Sequence, residues 1–375
     1  MRVLVALSGG VDSAMAAALL VEQGHDVTGV HLKLADVPLD EQVVGQGCCT
    51  FDDAQDARRV AQVLDIPFYV WDLTEVFRRE VERPFTASYA LGWTPNPCIG
   101  CNRRVKYGAL LTRAWALGFD ALATGHHVRL RAAQDGSWRL LRAADRAKDQ
   151  TYVLYIASQE QLAHSLFPIG EFTKDEVREE AERRGLRVAR KPDSYDVCFI
   201  PGGDTSSYLR ARLAPEPGPI VDLDGRVLGT HEGIWRYTIG QRRGLGLASH
   251  ERRYVVALDP PRNTVLVGPQ AALACSWLDL TSVSWVSGRA PIGRVTAQIR
   301  AHGEEVPATL TRRGSGWRVR FERPLEGVAE GQACVLYSAG DGEECLGGGL
   351  IVAAERPAAV LDSSAHTERR SGCYP

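Results

Sequence analysis

Two cysteines stand three residues apart, Cys98 and Cys101, in the stretch TPNPCIGCN from Thr94 to Asn102. That spacing can hold half of a zinc site, form a redox pair or present a reactive thiol. A structural zinc needs a second pair of ligands, and no second C-x-x-C exists in the chain. A further cysteine, Cys198, lies in DSYDVCFIPGG. Cys98, Cys101 and Cys198 together offer three thiolates, enough for a [4Fe-4S] cluster with one iron open to a transferred sulfur. A second chemical stretch, LSGGVDSA, contains Ser8, Gly9, Gly10, Val11, Asp12 and Ser13. Two glycines let the backbone approach an anion closely. The N–H groups at a helix start point at such an anion, and Ser8 and Ser13 add hydroxyl donors. The spacing is neither G-x-x-x-x-G-K-[ST] nor G-x-G-x-x-G.

The elements that must hold these residues read as an α/β unit. Val3–Leu7, Val27–Leu32, Phe68–Trp71 and Leu122–Thr124 are predicted strands. Asp12–Gln23, Asp53–Leu64, Arg104–Leu117 and Lys174–Arg184 are predicted helices, the last capped by Thr173. Strands alternating with helices imply a doubly wound parallel sheet, with Ser8–Ser13 at the carboxyl end of its first strand, where open α/β sheets bind ligands. VRLRAAQDGSWRLLR predicts a hairpin turning at Asp135-Gly136. After about Pro201 the texture is β, with further hairpins at IVDLDGRVLG and YVVALDPPRNTVLVG. Short alternating runs from Leu278 to Ala353 predict a small β-barrel. The expected division is a nucleotide-binding catalytic domain over 1–203, a small β-rich central domain over 204–276, a C-terminal β-barrel over 277–356 and a disordered tail over 357–375. No internal repeat is visible.

The 375 residues carry 44 basic and 46 acidic side chains, a net charge of -2, so no global basic excess points to nucleic acid, although a local basic face is compatible with that balance. No apolar run reaches the roughly 18–20 residues of a membrane span. MRVLVALSGG is too short an apolar stretch for a signal peptide. A cytoplasmic chain is expected. Nine cysteines, an odd count, then read as reduced thiols. Cys275 and Cys334 read as small buried apolar residues, Cys345 and Cys373 as incidental, and Cys48-Cys49 as an unusual vicinal pair.

SGGVDS resembles the PP-loop of the ATP pyrophosphatases, which bind the pyrophosphate of ATP and adenylate a carbonyl oxygen. TPNPCIGCNRRVKYG and DSYDVCFIPGG, with TGHH at Thr124–His127, KDQTYVLY at Lys148–Tyr155 and YTIGQRRGLG at Tyr237–Gly246, resemble the tRNA-specific 2-thiouridylases from about Met1 to Ala353. The resemblance implies ATP-dependent thiolation of the wobble uridine of tRNA, with ATP and Mg²⁺ as substrate and a persulfide donor, such as a cysteine desulfurase or sulfur-relay protein, as partner. It implies Cys198 as persulfide carrier and Cys101 as nucleophile. Ala6, Leu7, Ser8–Ser13, Leu32 and Gly125 would border ATP. Asn96, Pro97 and Cys98 would lie beside the target base. His126, Lys148, Asp149, Gln150, Arg300 and Gln332 would meet tRNA. One thiol carrying sulfur and another releasing it is ordinary thiol–disulfide logic. Arg236, Arg242 and Arg243 add basic groups beside aromatics. The chain departs from the family's N-P-D-x-x-C pattern, because Cys98 stands where the acid belongs, so an acid role does not carry over to that position. Two rivals are kept in view. An amidotransferase or synthetase on the same loop gives no use to Cys101 and Cys198. A tRNA- or metal-binding adaptor gives none to an intact hexapeptide.

Overall fold

The structure, a computed structural model, describes residues 1–35, 51–193, 197–247 and 251–356. Cys48-Cys49, the 357–375 tail and Cys373 lie outside the described residues. Five parallel strands form the first sheet, in the spatial order Phe68–Asp72, Asp26–Lys33, Arg2–Ala6, Ala121–Ala123, Ser165–Leu166. The last of these, two residues long, escapes sequence reading.

The alternation along the first strand separates two cores. Val3 and Val5 join the helices Val11–Glu22, Phe51–Val63 and Lys174–Arg183 on one face. Leu4 joins Phe77, Phe85, Val105 and Leu110 on the other. Successive strand side chains point to opposite faces, so a central strand buried on both sides must be apolar throughout. The doubly wound α/β reading is thereby met. Thr173 caps Lys174–Arg183 through a reciprocal capping box with Glu176, as its spacing predicts.

The predicted helix Arg104–Leu117 begins earlier. The chain is helical from Pro97 to Ala116, with a π-helical stretch over Cys101–Leu110. Asn96 caps its start, accepting from the Cys98 N–H at 3.0 Å, and Pro97 occupies the first turn, where no N–H is needed. Cys98 and Cys101 are therefore helical residues, not loop residues.

The three predicted hairpins form. Val128–Ala132 pairs with Trp138–Arg142 around Gly136, Gly218–Val221 with Val227–His231, and Tyr254–Asp259 with Thr264–Gly268. The last two make a four-stranded central sheet. Six antiparallel strands between Ala274 and Ala354 close a barrel, Ala274–Trp285 pairing with both Gly316–Glu326 and Glu344–Ala354. The first hairpin extends the barrel sheet through Leu140 and Leu141 beside Cys345 and Glu344. Arg142 anchors this junction. It donates to Asp149 at 2.8 Å and Gln298 at 3.0 Å and stacks on Tyr337, with only 3% of its side chain exposed.

Candidate active site

The loop Ser8–Ser13 leaves the first strand at the carboxyl edge of the sheet. Gly9 has φ +80°, and a Cβ there would lie 2.3 Å from the Asp53 carbonyl, so a side chain at Gly9 would be both strained and blocked. Ser13 Oγ accepts from the Ser8 N–H at 3.1 Å and donates to the Gly10 carbonyl at 3.0 Å, folding the loop on itself. Gly10 is the N-cap of Val11–Glu22 and supplies no side-chain cap. The first N–H groups of this helix thus have no side-chain cap and stand at the positive end of the helix dipole.

Two lysines, Lys174 buried and Lys191 half-buried, brace the loop. Lys191 Nζ donates to the Gly9 carbonyl at 3.1 Å, to Asp53 at 2.8 Å and to Asp56 at 2.7 Å. Lys174 Nζ grips both oxygens of Asp12 at 2.8 Å. His127 Nε2 meets the same carboxylate at 3.2 Å, while its buried Nδ1 has no partner. Burial alone would raise the Asp12 pKa. The His127 hydrogen bond and the Lys174 charge outweigh it and hold the carboxyl below its ordinary range. Gly125 seats the 124–127 turn against this helix start, since a Cβ there would lie 2.5 Å from the Ser13 nitrogen. Ala6 is half-buried at the end of the first strand. Leu7 is buried, and its carbonyl accepts from His31 Nδ1 at 2.9 Å. Leu32 is buried near the end of the neighbouring strand.

The three cysteines of interest stand as thiols. Cys101 is buried in the core under the second face of the sheet, and Cys198 packs half-buried against that core. Phe199 fixes the Cys198 segment by edge contacts with Phe77, Phe85 and Tyr208, centroids 5.4–5.5 Å apart. Cys98 is half-buried one turn before Cys101. Asn102 ties the cysteine helix to Val153 through its side-chain amide, 3.0 Å from that carbonyl. Both C-terminal units clamp the loop before the helix. Thr94 N–H donates to the Glu330 carbonyl at 3.0 Å, Gln332 donates to the Thr94 carbonyl at 2.8 Å, and the Thr94 and Thr238 hydroxyls lie 3.3 Å apart.

Several expected positions turn out differently. Among the described residues no group of three His, Cys, Asp or Glu is placed to hold a metal ion. Asp149, expected at tRNA, is buried and accepts from Arg142, from the Ala143 N–H at 2.9 Å and from Thr151 at 2.5 Å. Its carboxylate serves the domain junction. His126 is buried as well. Lysine offers only donors, so His126 Nε2 accepts from Lys106 Nζ at 3.3 Å and Nδ1–H donates to Thr124 at 2.7 Å. Desolvation, then the Lys106 charge, push its pKa well below 6.5, and the ring is neutral. Gln150 faces inward, accepting from the His127 N–H at 2.8 Å. Lys148 remains partly exposed and pairs with Asp193 at 2.9 Å. Arg300 is exposed and donates to the Gly327 carbonyl at 2.7 Å. Sequence reasoning missed Lys106, Lys174, Lys191 and Asp193: Lys174 and Lys191 reach across the chain to Asp12, Gly9, Asp53 and Asp56, and no local motif marks Lys106 or Asp193.

A helix start without a side-chain cap at the edge of a parallel sheet, with two thiols on an adjoining core, is the layout of a nucleotide-using α/β enzyme domain carrying appended β units. The comparisons agree. The tRNA methyl transferase HUP domain matches residues 1–202, the tRNA methyl transferase PRC-barrel domain 206–269 and the aminomethyltransferase β-barrel domain 276–351. The chain is 50% identical to the tRNA-specific 2-thiouridylase MnmA of Streptomyces avermitilis, over 96% of this chain and 97% of that one. It is 51% identical to the protein of that name from Thermobifida fusca, over 95% and 97%. A solved 4-thiouridine synthetase–RNA complex with bound ATP is similar at TM-score 0.36 and 18% identity, covering 56% of this chain and 50% of that chain. The chain belongs to the tRNA-specific 2-thiouridylase family.

Proposed function

We propose that this chain converts the C2 oxygen of the wobble uridine in tRNA to sulfur at the expense of ATP. The observation that carries the reading is the capless helix start at Gly10, in the same unit as a helix-borne Cys101 and a half-buried Cys198. Uracil O2 attacks the α-phosphate of ATP, and pyrophosphate leaves with its Mg²⁺, held by the N–H groups and hydroxyls of Ser8–Ser13. The oxygen, a poor leaving group, becomes part of AMP, a good one. The terminal sulfur of a Cys198 persulfide attacks C2, and AMP departs. Cys101 thiolate then attacks the Cys198 sulfur, leaving a Cys101–Cys198 disulfide and the thiocarbonyl. A two-electron reductant and a persulfide donor, a desulfurase or relay protein, reset the pair. Ala6, Leu7, Leu32 and Gly125 border the nucleotide. Asn96, Pro97 and Cys98 face the flipped base, which must leave its stack to enter.

Residues 1–203 supply the chemistry in this reading, and 204–276 and 277–356 grip tRNA through phosphate and shape, with Lys148, Arg300 and Gln332 on that side. His126, Asp149 and Gln150 support the site from within. An iron–sulfur route would need Cys98, Cys101 and Cys198 as one ligand group, and among the described residues no group of three His, Cys, Asp or Glu is placed to hold a metal ion. Methyl transfer, named in two of the matching domain descriptions, leaves the phosphate-binding helix start without a use. No helix among the described residues is long and apolar enough to cross a membrane, in keeping with work on tRNA in the cytoplasm. The test is Cys198→Ser assayed for tRNA-dependent pyrophosphate release and, by mass spectrometry, for 2-thiouridine. Release without thiolation is expected. Thiolated product from that variant refutes the assignment.

A further inference from the structure

The chain carries one thiol more than the sulfur transfer described above uses. Cys101 and Cys198 end that reaction joined, and Cys98 stands three residues before Cys101 on the same helix. The first turn draws Cys98 and Cys101 together. Cys101 N–H donates to the carbonyls of both Pro97 and Cys98. The bond to Cys98 spans three residues, the tighter winding in which side chains at i and i+3 come into line. Positions three apart on a helix have Cβ atoms roughly 5–6 Å apart, and a disulfide needs about 3.5–4.5 Å, so the turn has about 1–2 Å to close. Gly100 lies between the two cysteines. A Cβ there would meet only the Glu80 carbonyl, at 3.8 Å, so the backbone has room for that adjustment. Cys98 is the more open sulfur, half-buried where Cys101 is 8% exposed. It also sits at the helix end that favours negative charge, which suits an attacking sulfur. The other thiols among the described residues are shut away. Cys275, Cys334 and Cys345 are buried in barrel strands, where desolvation pushes each thiol up from its ordinary range.

We propose that Cys98 is a resolving thiol, which passes the disulfide left by sulfur transfer from the Cys101–Cys198 pair to the Cys98–Cys101 pair. It rests on the reading of Cys198 as sulfur carrier and Cys101 as the thiol that releases the sulfur. Cys98 thiolate attacks the Cys101 sulfur of the Cys101–Cys198 disulfide. The Cys98–Cys101 bond forms, the bond to Cys198 breaks, and the electron pair leaves on Cys198 as a thiolate. The exchange itself consumes no electrons. Cys198 is then free to take the next sulfur from the persulfide donor. The two-electron reductant, a dithiol, opens the Cys98–Cys101 bond from its more exposed sulfur. The family's usual acid at this position has no sulfur to offer and leaves the Cys101–Cys198 disulfide to the external reductant.

The experiment maps disulfides in the unsubstituted full chain after one turnover. The chain is loaded with sulfur by a cysteine desulfurase and cysteine, freed of donor and reductant, and reacted with tRNA, ATP and Mg²⁺ in the absence of added thiols. The reaction is stopped in acid, free thiols are alkylated, and peptides are mapped by mass spectrometry alongside 2-thiouridine in the tRNA. The expected result is one Cys98–Cys101 disulfide for each 2-thiouridine, with Cys198 alkylated, and neither product when ATP is omitted. In Cys98→Ser, the disulfide that accompanies any 2-thiouridine is expected to be Cys101–Cys198. Thiouridine accompanied in the unsubstituted chain by a lasting Cys101–Cys198 disulfide, with Cys98 alkylated, overturns the resolving role and leaves the proposed function standing. Thiouridine made by Cys198→Ser overturns the function and the resolving role together.

Discussion

Gly125→Ala isolates the seating of the 124–127 turn on the phosphate loop. The new Cβ would lie 2.5 Å from the Ser13 nitrogen, 2.6 Å from the Asp12 carbonyl carbon and 2.9 Å from its oxygen. All three are backbone atoms of a helix start, so no flexible side chain can swing away. An ordinary contact of roughly 3.5 Å requires the turn or the helix start to shift by about 1 Å. Such overpacking costs about 1–3 kcal/mol of stability, a modest fall in melting temperature for a chain this long. The effect on chemistry is larger. A misplacement of about 1 Å at a reacting centre costs about 100-fold, equivalent to about 2.7 kcal/mol of transition-state stabilisation. The assay is kcat/KM for tRNA-dependent pyrophosphate release, with thermal unfolding alongside. Gly136→Ala is the control. Its φ is +80° and nothing lies within 4 Å, so it carries backbone strain of about 1–2 kcal/mol without a steric push, and activity should be unchanged. A Gly125→Ala enzyme within about threefold of wild type would refute the geometric reasoning.

Ser13→Ala and Asp12→Ala should abolish pyrophosphate release while leaving the chain folded, because each acts at the uncapped helix start; normal turnover in either removes the nucleotide assignment. Cys98→Asp restores the family's usual acid and should keep substantial thiolation, whereas Cys101→Ser should lose it; full activity of Cys101→Ser would mean the wrong cysteine has been assigned. Bound iron that falls together with activity in Cys98→Ala would instead revive the cluster route. His126 is neutral in the fold with its pKa well below 6.5, so the unfolded chain binds the extra proton. Its stability contribution is complete above about pH 6.5 and falls by up to about 1.4 kcal/mol per pH unit below it. His126→Gln, which cannot take up a proton, should flatten that slope in denaturant titrations from pH 7.5 to 5. An unchanged slope means His126 is not the group responsible.

What the sequence made legible follows from how local each signal is. Val3–Leu7 betrays its strand because both of its faces are buried, and SGGVDS betrays its site because phosphate binding needs glycine and free N–H groups within six residues. Thr173 and Glu176 announce their helix for the same reason. The helix predicted from Arg104 starts earlier, at Pro97, where Asn96 as cap and Pro97 in the first turn are the onset. Asp149 looked like a surface acid because its partner, Arg142, comes from a hairpin that inserts beside the barrel. Likewise, nothing near Lys174 or Lys191 in sequence shows that Asp12 and Gly9 await them.

The central claim is that uracil O2 is adenylated and then expelled. It is tested most directly by tRNA carrying ¹⁸O at C2 of the wobble uridine, incubated with ATP, Mg²⁺ and a persulfide donor, with the released AMP analysed by mass spectrometry. Attack of O2 on the α-phosphate followed by sulfur displacement predicts that the label appears in the phosphate of AMP, one oxygen for each 2-thiouridine formed. Thiouridine formed with unlabelled AMP would contradict the account.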